Sequence, residues 1–419
     1  MDQDLVIVGG SYAAAQAIAS ARAAGHTAPI RLISAEPDLP YQRPPLSKGF
    51  LLGKVDAAAL PIRPEAFYRD NGIDVLLGTE VTAIDRASRA VVTAAGERLR
   101  YGQLVLAVGS HPRLPPLPGI DLDGVMVLRT LADAVQLRDR LPAVAAAVVI
   151  GGGFIGLEVA SVLAVLGKTV TVLEAEERLL GRGAGAPLAA HVAAVHRARG
   201  VDLRLRTMAA RLVGEGGRVR SVVTRDGATL PADLVVVGIG VTPQTALAEA
   251  AGLACTGGID VDAHGRTADP SIFAIGDCSW HPSPFARRSL RLESVQHALD
   301  QAKAAGATIA GRATPYDAVP WFWSDQYDVK LQMVGLTQGW NRHAVRGTAE
   351  GGRFSIFYWC DDRLIAIESV NRPAEHMMGR RLLACGARLS PAEAADEGFD
   401  LSSRVVRTGN SAPPASSSA

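Results

Sequence analysis

The stretch VVIGGGFIGLEVA, Val148–Ala160, restricts the fold more than any other part of this chain. An apolar run stops at Gly151-x-Gly153-x-x-Gly156 and passes at once into helix-forming residues. Each small residue answers a separate steric demand. The first lets the chain turn sharply, the second lets backbone approach a pyrophosphate, and the third lets helix pack closely on strand. A second apolar run, Thr169–Leu173, then ends in Glu174, at the spacing of about 20 residues where an acid meets an adenosine ribose. A plain tight strand–helix turn would need neither the acid nor the spacing, so the pattern predicts a dinucleotide site. A carboxylate at Glu174 repels a 2′-phosphate and favours NADH over NADPH. Arg178 and Arg182 lie just downstream, and either reaches a phosphate by folding back.

A second stretch of this kind, LVIVGGSYAAAQA at Leu5–Ala17, opens the chain. It carries Gly9-x-Ser11-x-x-Ala14, with serine and alanine at the second and third small positions. Ile30–Ser34 is its second strand, and Ala35 or Glu36 is its ribose neighbour. QLVLAVG closes this unit at Gly109 much as LVVVGIG closes the later one at Gly240, so the chain carries a fold-level internal repeat. Strand, helix and strand in this rhythm specify a parallel sheet with helices on its faces. Between the units, SHPRLPPLPG reads as a linker, because its prolines cannot continue a regular element. Ser271–Ser279 reads as a strand ending in Gly-Asp and leading into a helix through LESVQHALDQAKAAGATIAG. From Pro320 the runs alternate and are aromatic-rich, which predicts antiparallel strands in a further domain.

The bulk properties exclude several classes. With 419 residues, 48% hydrophobic and 20% charged, the chain can bury two or three cores. A formal net charge of +1 gives no reason to expect nucleic acid or an anionic membrane as partner. No apolar run reaches transmembrane length, and no basic n-region precedes the first strand, so a cytoplasmic protein is expected. The four cysteines, Cys255, Cys278, Cys360 and Cys385, form no CxxC pair and no metal-ligand spacing, so no metal site is predicted.

Taken together, LPYQRPPLSK (Leu39–Lys48), VVIGGGFIGLEVA, ADLVVVGIGVTP, AIGDC, RLESVQHALDQA and PWFWSDQYDVKLQMVGL resemble the FAD-dependent, NADH-linked ferredoxin reductases of bacterial cytochrome P450 and ring-hydroxylating dioxygenase systems. RPPLSK and WFWSDQ are specific to that branch; the glycine turn and Gly-Asp belong to the wider flavoprotein disulfide reductases. The resemblance implies an α/β fold with two Rossmann-like, glutathione-reductase-like domains for FAD and NAD, plus a C-terminal α+β domain with an antiparallel sheet. It implies FAD-binding segments 1–110 and 240–319, an NAD-binding domain 111–239, a C-terminal domain 320–408 and a disordered tail 409–419.

By the same resemblance, Gly9, Ser11, Ala13 and Ala14 cradle the FAD pyrophosphate, and Ala35 and Glu36 flank the adenosine ribose. Arg43, Val81 and Arg129 are FAD contacts, Lys48 lies near the flavin N5 edge, Asp277 meets the ribityl chain, and Val295 meets the pyrimidine end. Gly151, Gly153, Ile155, Gly156, Glu174 and Gly240 hold NADH. Glu158 stands near the junction of nicotinamide and flavin, and Trp323 packs beside the flavin. Lys48 and Glu158 are the implied catalytic residues. The chain departs from the family at Ser11, usually glycine, and at Val108, usually threonine. Several of these residues also admit ordinary structural roles: Lys48 on the surface, Asp277 as a helix cap, Glu158 as a helix-face acid, and Trp321 or Trp323 as core.

The implied activity is transfer of hydride from NADH to FAD and of single electrons to a [2Fe–2S] ferredoxin that feeds a cytochrome P450 or dioxygenase. A disulfide reductase would need a cysteine early in the chain, and none precedes Cys255. A rubredoxin reductase, and an NADH oxidase or NADH-sensing flavoprotein, are the remaining alternatives. Two basic runs, Arg287, Arg288 and Arg291, and Arg380 and Arg381, are candidate docking sites for an acidic ferredoxin.

Overall fold

In the strand Leu5–Val8, Leu5 and Ile7 enter one core while Val6 and Val8 enter another, as the period of two in a pleated strand requires. Leu5–Val8 is therefore buried on both faces, which is why it reads as an unbroken apolar run. The computed structural model describes residues 4–405, so the expected tail at 409–419 lies outside the described residues.

Leu5–Val8 pairs in parallel with Ile30–Ile33 on one side and Gln103–Leu106 on the other. Ile73–Leu76 and Ile272–Ala274 extend the sheet at its two ends, for five parallel strands. Helices Tyr12–Ala23 and Val295–Ile309 cover one face through Ala14, Ala17, Ile18, Ala302 and Ala305. The other face packs on a three-stranded antiparallel sheet, Val81–Asp85, Ala90–Thr93 and Arg98–Arg100, through Ile84, Val91 and Leu99.

The arrangement recurs in the second sheet. Ala146–Ile150 lies between Thr169–Leu173 and Leu234–Val237, with Asp202–Arg204 and Val125–Met126 at the ends, all parallel. An antiparallel sheet, Ala209–Glu215, Arg218–Thr224 and Thr229–Pro231, again covers one face, packing Leu212, Val219 and Val222 on Val148 and Ile150. The internal repeat seen in the sequence is thus a repeat of topology down to the three-stranded cover.

Two expectations are corrected. SHPRLPPLPG is not wholly irregular: Ser110–Pro112 pairs antiparallel with Val241–Pro243, joining the two connections between the sheets. Pro112 and Pro243 sit at strand ends of this short ribbon, where a missing N–H costs least. The Gly-Asp strand also does not lead straight into a helix, because Ser279–Ser283 and Arg288–Leu290 form an antiparallel pair before Val295.

The chain divides into two compact units. The larger holds both parallel sheets and comprises residues up to 182, 189–318 and 325–327. The smaller comprises 183–188, 319–324 and 328–405. In it, Val329–Gly335, Arg363–Val370, Arg353–Cys360 and Arg342–Thr348 form an antiparallel sheet in that order, with Trp321–Gln326 at its edge. The helix Pro373–Ala384 belongs to the same unit, and Arg346, nearly buried, ties Glu375 to the carbonyls of Glu397 and Phe399. Among the described residues no helix is long and apolar enough to cross a membrane, and no cluster of metal-ligating residues occurs.

Candidate dinucleotide and electron-transfer site

Both glycine turns leave the central strand of their sheet at the same register. Gly9 N–H donates to Ile33 O, and Gly151 N–H donates to Leu173 O, each at 2.8 Å. A Cβ on Gly9 would overlap the Ala107 carbonyl, and a Cβ on Gly151 would stand 2.5 Å from Gly238 O. Their positive φ values of 114° and 110° are a further reason for glycine.

The turns differ at the next two small positions. Ser11 is the N-cap of Tyr12–Ala23: its Oγ accepts from Ala14 N–H at 3.3 Å and donates to Ala107 O at 3.3 Å. Gly153, the N-cap of Phe154–Val165, makes no side-chain cap, and a Cβ there would have Gly238 O at 3.8 Å as nearest neighbour. Ala14 is fully buried with its methyl in the core, whereas a Cβ on Gly156 would overlap Gly151 O. Ala13 lies against Gly276, which takes φ 74°. Ile155, in the first turn of its helix, is 46% exposed despite its apolar side chain.

At the end of the second strand, Glu174 accepts from Gly152 N–H at 2.7 Å and from Glu176 N–H at 2.9 Å, which fixes its carboxylate beside the turn. The residue in the same register of the first sheet is Ser34, against which a Cβ on Gly10 would press at 2.5 Å. Ala35 is exposed, and Glu36 is turned to other partners. It pairs with Arg43 at 2.6 Å and accepts from the buried Tyr41 hydroxyl, which in turn accepts from Leu131 N–H at 2.8 Å. Burial pushes the Tyr41 hydroxyl far above its usual range, so it stays a neutral donor. Arg43 also donates to Arg129 O at 2.7 Å.

The Arg129 guanidinium meets Asp277 at 3.1 Å, and Ser110 Oγ donates to the same carboxylate oxygen at 3.1 Å. Asp277 lies in the single turn Gly276–Cys278. It does not cap the following helix, whose N-cap is Ser294, so that structural alternative falls. Behind the turn, Gly276 N–H donates to the buried Gln301 Oε1 at 2.8 Å, and Ser279 Oγ donates to the same atom at 2.9 Å. His297 stacks on His281 at 4.6 Å and shares a hydrogen bond with Tyr316. Val295 starts the same helix and is partly exposed, and Val81 begins the strand that packs on the first sheet.

Lys48 and Glu158 form an ion pair at 2.6 Å, with side-chain exposures of 19% and 3%. Lys48 follows the turn Pro44–Ser47, and Glu158 projects from the helix after the second glycine turn, so the pair joins the two halves of the larger unit. Ser47, buried, donates to the same Glu158 oxygen as Lys48. A carboxylate this deep needs such partners. Lys48 is accordingly no free surface lysine.

Trp323 and Trp321 share a face of the smaller unit's edge strand, ring centres 5.9 Å apart, and Arg380 lies over Trp321 at 4.6 Å. Arg291 pairs with Glu293 at 2.7 Å, so the first candidate docking run is not wholly free charge. Residue-by-residue reading of the sequence missed Ser34, Tyr41, Ser47, Ser110 and Gln301. Tyr41 and Ser47 stand inside LPYQRPPLSK and were open to notice; the other three are met only across the fold.

Two glycine turns with backbone pressed against backbone, and a cation–carboxylate pair joining the halves that carry them, fit a chain that holds two dinucleotides, FAD and NAD(H). A family model described as pyridine nucleotide–disulphide oxidoreductase matches residues 3–302, and one described as reductase C-terminal matches 321–405. A ferredoxin–NAD(P)(+) reductase of Sphingomonas sp is 45% identical over 93% of this chain and 94% of its own length. The solved ferredoxin reductase of the CYP199A2 system from Rhodopseudomonas palustris has a TM-score of 0.94 and 42% identity, covering 96% of this chain and all of that one. The reductase in the covalent putidaredoxin reductase–putidaredoxin complex has a TM-score of 0.93 and 39% identity, over 96% and 98% of the two chains. The chain therefore belongs to the pyridine nucleotide–disulphide oxidoreductase family, in its branch of FAD-dependent ferredoxin reductases.

Proposed function

We propose that this chain is an NADH-dependent flavoprotein reductase that delivers single electrons to a [2Fe–2S] ferredoxin, which feeds a cytochrome P450 or a ring-hydroxylating dioxygenase in the cytoplasm. The observation that carries this reading is the Lys48–Glu158 pair between the two glycine-turn halves. Segments 1–110 and 240–319 hold FAD, 111–239 holds NADH, and 320–408 forms the C-terminal domain.

Bound FAD supplies the chemistry of accepting hydride and releasing electrons one at a time. The chain supplies position and charge. Gly9, Ser11, Ala13 and Ala14 present backbone to the FAD pyrophosphate, while Arg43, Arg129 and Asp277 form the polar wall along the first sheet's strand ends. Gly151, Gly153 and Gly156 present backbone to NADH, and Glu174 disfavours a 2′-phosphate. Lys48 holds a fixed ammonium where negative charge develops during hydride transfer, and Glu158, held by Ser47, keeps that ammonium in place. Val81, Val295, Ile155 and Gly240 complete the cofactor contacts.

Steady-state NADH oxidation with and without added [2Fe–2S] ferredoxin tests the function: turnover should depend on ferredoxin and saturate with it. Rubredoxin serving better, or fast turnover with oxygen alone, would replace the reading by one of its alternatives. The role of Lys48 is tested by Lys48→Met, which should slow flavin bleaching under saturating NADH by the equivalent of about 2–4 kcal/mol while FAD content holds. Because that variant leaves Glu158 buried without its cation, Lys48→Met with Glu158→Gln is the control for folding.

A further inference from the structure

We infer that Arg182 is a ligand for the pyrophosphate of the nicotinamide dinucleotide, a cation that completes the second glycine turn. This deepens the NADH-binding reading above and rests on it.

The order of the second sheet sets the place. The chain leaves Ala146–Ile150 through the helix Phe154–Val165 toward Thr169–Leu173 on one side, and Leu234–Val237 lies on the other. Ligands of open parallel sheets sit at such a reversal, beyond the carboxyl ends of the strands. Here the crevice has two walls. One is Gly151–Gly153; the other is the run Gly238–Gly240, whose Gly238 carbonyl faces both Gly151 and Gly153.

A dinucleotide pyrophosphate carries negative charge, but the turn from 151 to 156 contains no cationic residue. Its donors are backbone dipoles, and the nearby acid, Glu174, stands on the Thr169–Leu173 side. Lys48 is already paired with Glu158. Arg182 stands on the opposite side from Glu174. Its guanidinium lies across Gly240, close enough that a Cβ there would overlap Nη2 and approach Cζ to 3.4 Å. Gly240 takes φ 101° and thus leaves room for this planar group. The Arg182 side chain is exposed and makes no hydrogen bond or ion pair with a described residue. Arg178, by contrast, is folded onto its own loop and donates to Gly181 O at 2.8 Å.

An unpartnered guanidinium over a glycine at a sheet's reversal point is suited to a phosphate oxyanion, which it grips with parallel N–H donors. The position separates two tasks. Glu174 reads the adenosine ribose, and Arg182, across the crevice, holds the diphosphate. The sequence raised Arg178 and Arg182 alike as cations able to fold back toward a phosphate; the fold sets Arg182 at Gly240 and Arg178 on its own loop.

The test is equilibrium binding to the FAD-loaded protein, by calorimetric titration with NAD+ and with ADP-ribose. Arg182→Gln should weaken both ligands at least tenfold, and Arg182→Lys should stay within threefold of the unaltered protein. The ADP-ribose affinity of Arg182→Gln should also fall less steeply with salt. The NADH-to-NADPH preference in kcat/KM should not move. Unchanged ADP-ribose affinity in Arg182→Gln overturns the inference, as does a lysine variant as weak as the glutamine one. A changed NADH-to-NADPH ratio overturns it too, because Arg182 would then be reading the 2′-position. If the unaltered protein binds neither NAD+ nor ADP-ribose, the NADH reading fails and the inference falls with it.

Discussion

The two glycine turns of this molecule occupy equivalent places in sheets of equivalent order, yet they solve the helix N-terminus in opposite ways. In the first, Ser11 satisfies Ala14 N–H from within the chain and is itself tied to Ala107. In the second, Gly153 leaves the corresponding donors without a side-chain cap. The first helix also stands off its strand by a methyl group, that of Ala14, while the second helix closes down until Gly156 touches the Gly151 carbonyl. A turn with its own cap is organised before its ligand arrives. An uncapped turn depends on the ligand to complete it, which suits a cofactor that must bind and leave at each cycle. The proposed function puts FAD, which stays, with the capped turn.

The largest test of this contrast is to exchange the third small residue. Gly156→Ala should destabilise the protein by about 3 kcal/mol, the upper end for an overpacked core, because the new methyl meets backbone that has no room to yield. NAD+ binding should fall with it. Ala14→Gly should cost about 2 kcal/mol, from helix propensity and one lost buried methyl. Urea midpoints and NAD+ titration measure both, and equal costs would erase the distinction between the turns.

Acid separates the halves differently. Burial lowers the His297 pKa to about 4, and burial with the neighbouring His297 charge lowers that of His281 to about 3. Both are neutral in the fold and take up a proton near 6.5 when unfolded. The unfolded state therefore binds more protons below pH 6.5, and stability is lost as the pH falls through that value toward 4 and then 3. His297 alone should contribute a loss on the order of 3 kcal/mol by pH 4. Because the network of Ser279 and Gln301 links His297 to the Gly276–Asp277 turn, FAD should be released in the same range. His297→Gln should flatten the dependence of urea midpoint on pH between 6.5 and 4; an unaltered slope would place the acid sensitivity elsewhere.

A smaller effect is expected at the strand ends. Glu174 is held against its turn by Gly152 N–H, whereas its counterpart in the first sheet is the uncharged Ser34. The preference for NADH over NADPH should be at least tenfold in kcat/KM, about 1.4 kcal/mol, and Glu174→Ala should narrow it. Glu36→Ala should leave the ratio alone, and a ratio indifferent to Glu174 would assign the choice to another residue. The smallest shift should come from Ser11→Ala, about 1 kcal/mol for a lost N-cap, with FAD dissociation faster than in the unaltered protein. If FAD release is unaffected, Ser11 serves the helix alone.

Much of the fold could be read from residue order because it rests on local demands. Leu5–Val8 and Ala146–Ile150 are buried on both faces and so must be apolar throughout, and Gly9 and Gly151 must lack a side chain where strand turns into helix. Glu174 stood out by spacing alone. Ser34 did not, because nothing in Ile30–Glu36 says which residue the register will set beside Gly10. The short ribbon of Ser110–Pro112 with Val241–Pro243 escaped notice for a similar reason. Each half looks like an irregular, proline-marked link, and pairing requires a partner more than a hundred residues away.

What residue order settles in this chain is periodicity and steric allowance: which runs are strands, where the backbone must be bare, and which charges stand near those places. The tertiary structure decides how those charges are spent. Lys48 and Glu158 are separated by more than a hundred residues and become a pair only in the folded chain. Arg182 is one more arginine after a strand until the return of Leu234–Val237 sets Gly240 beneath it. Charge acts through distance in space, and only the folded chain fixes that distance.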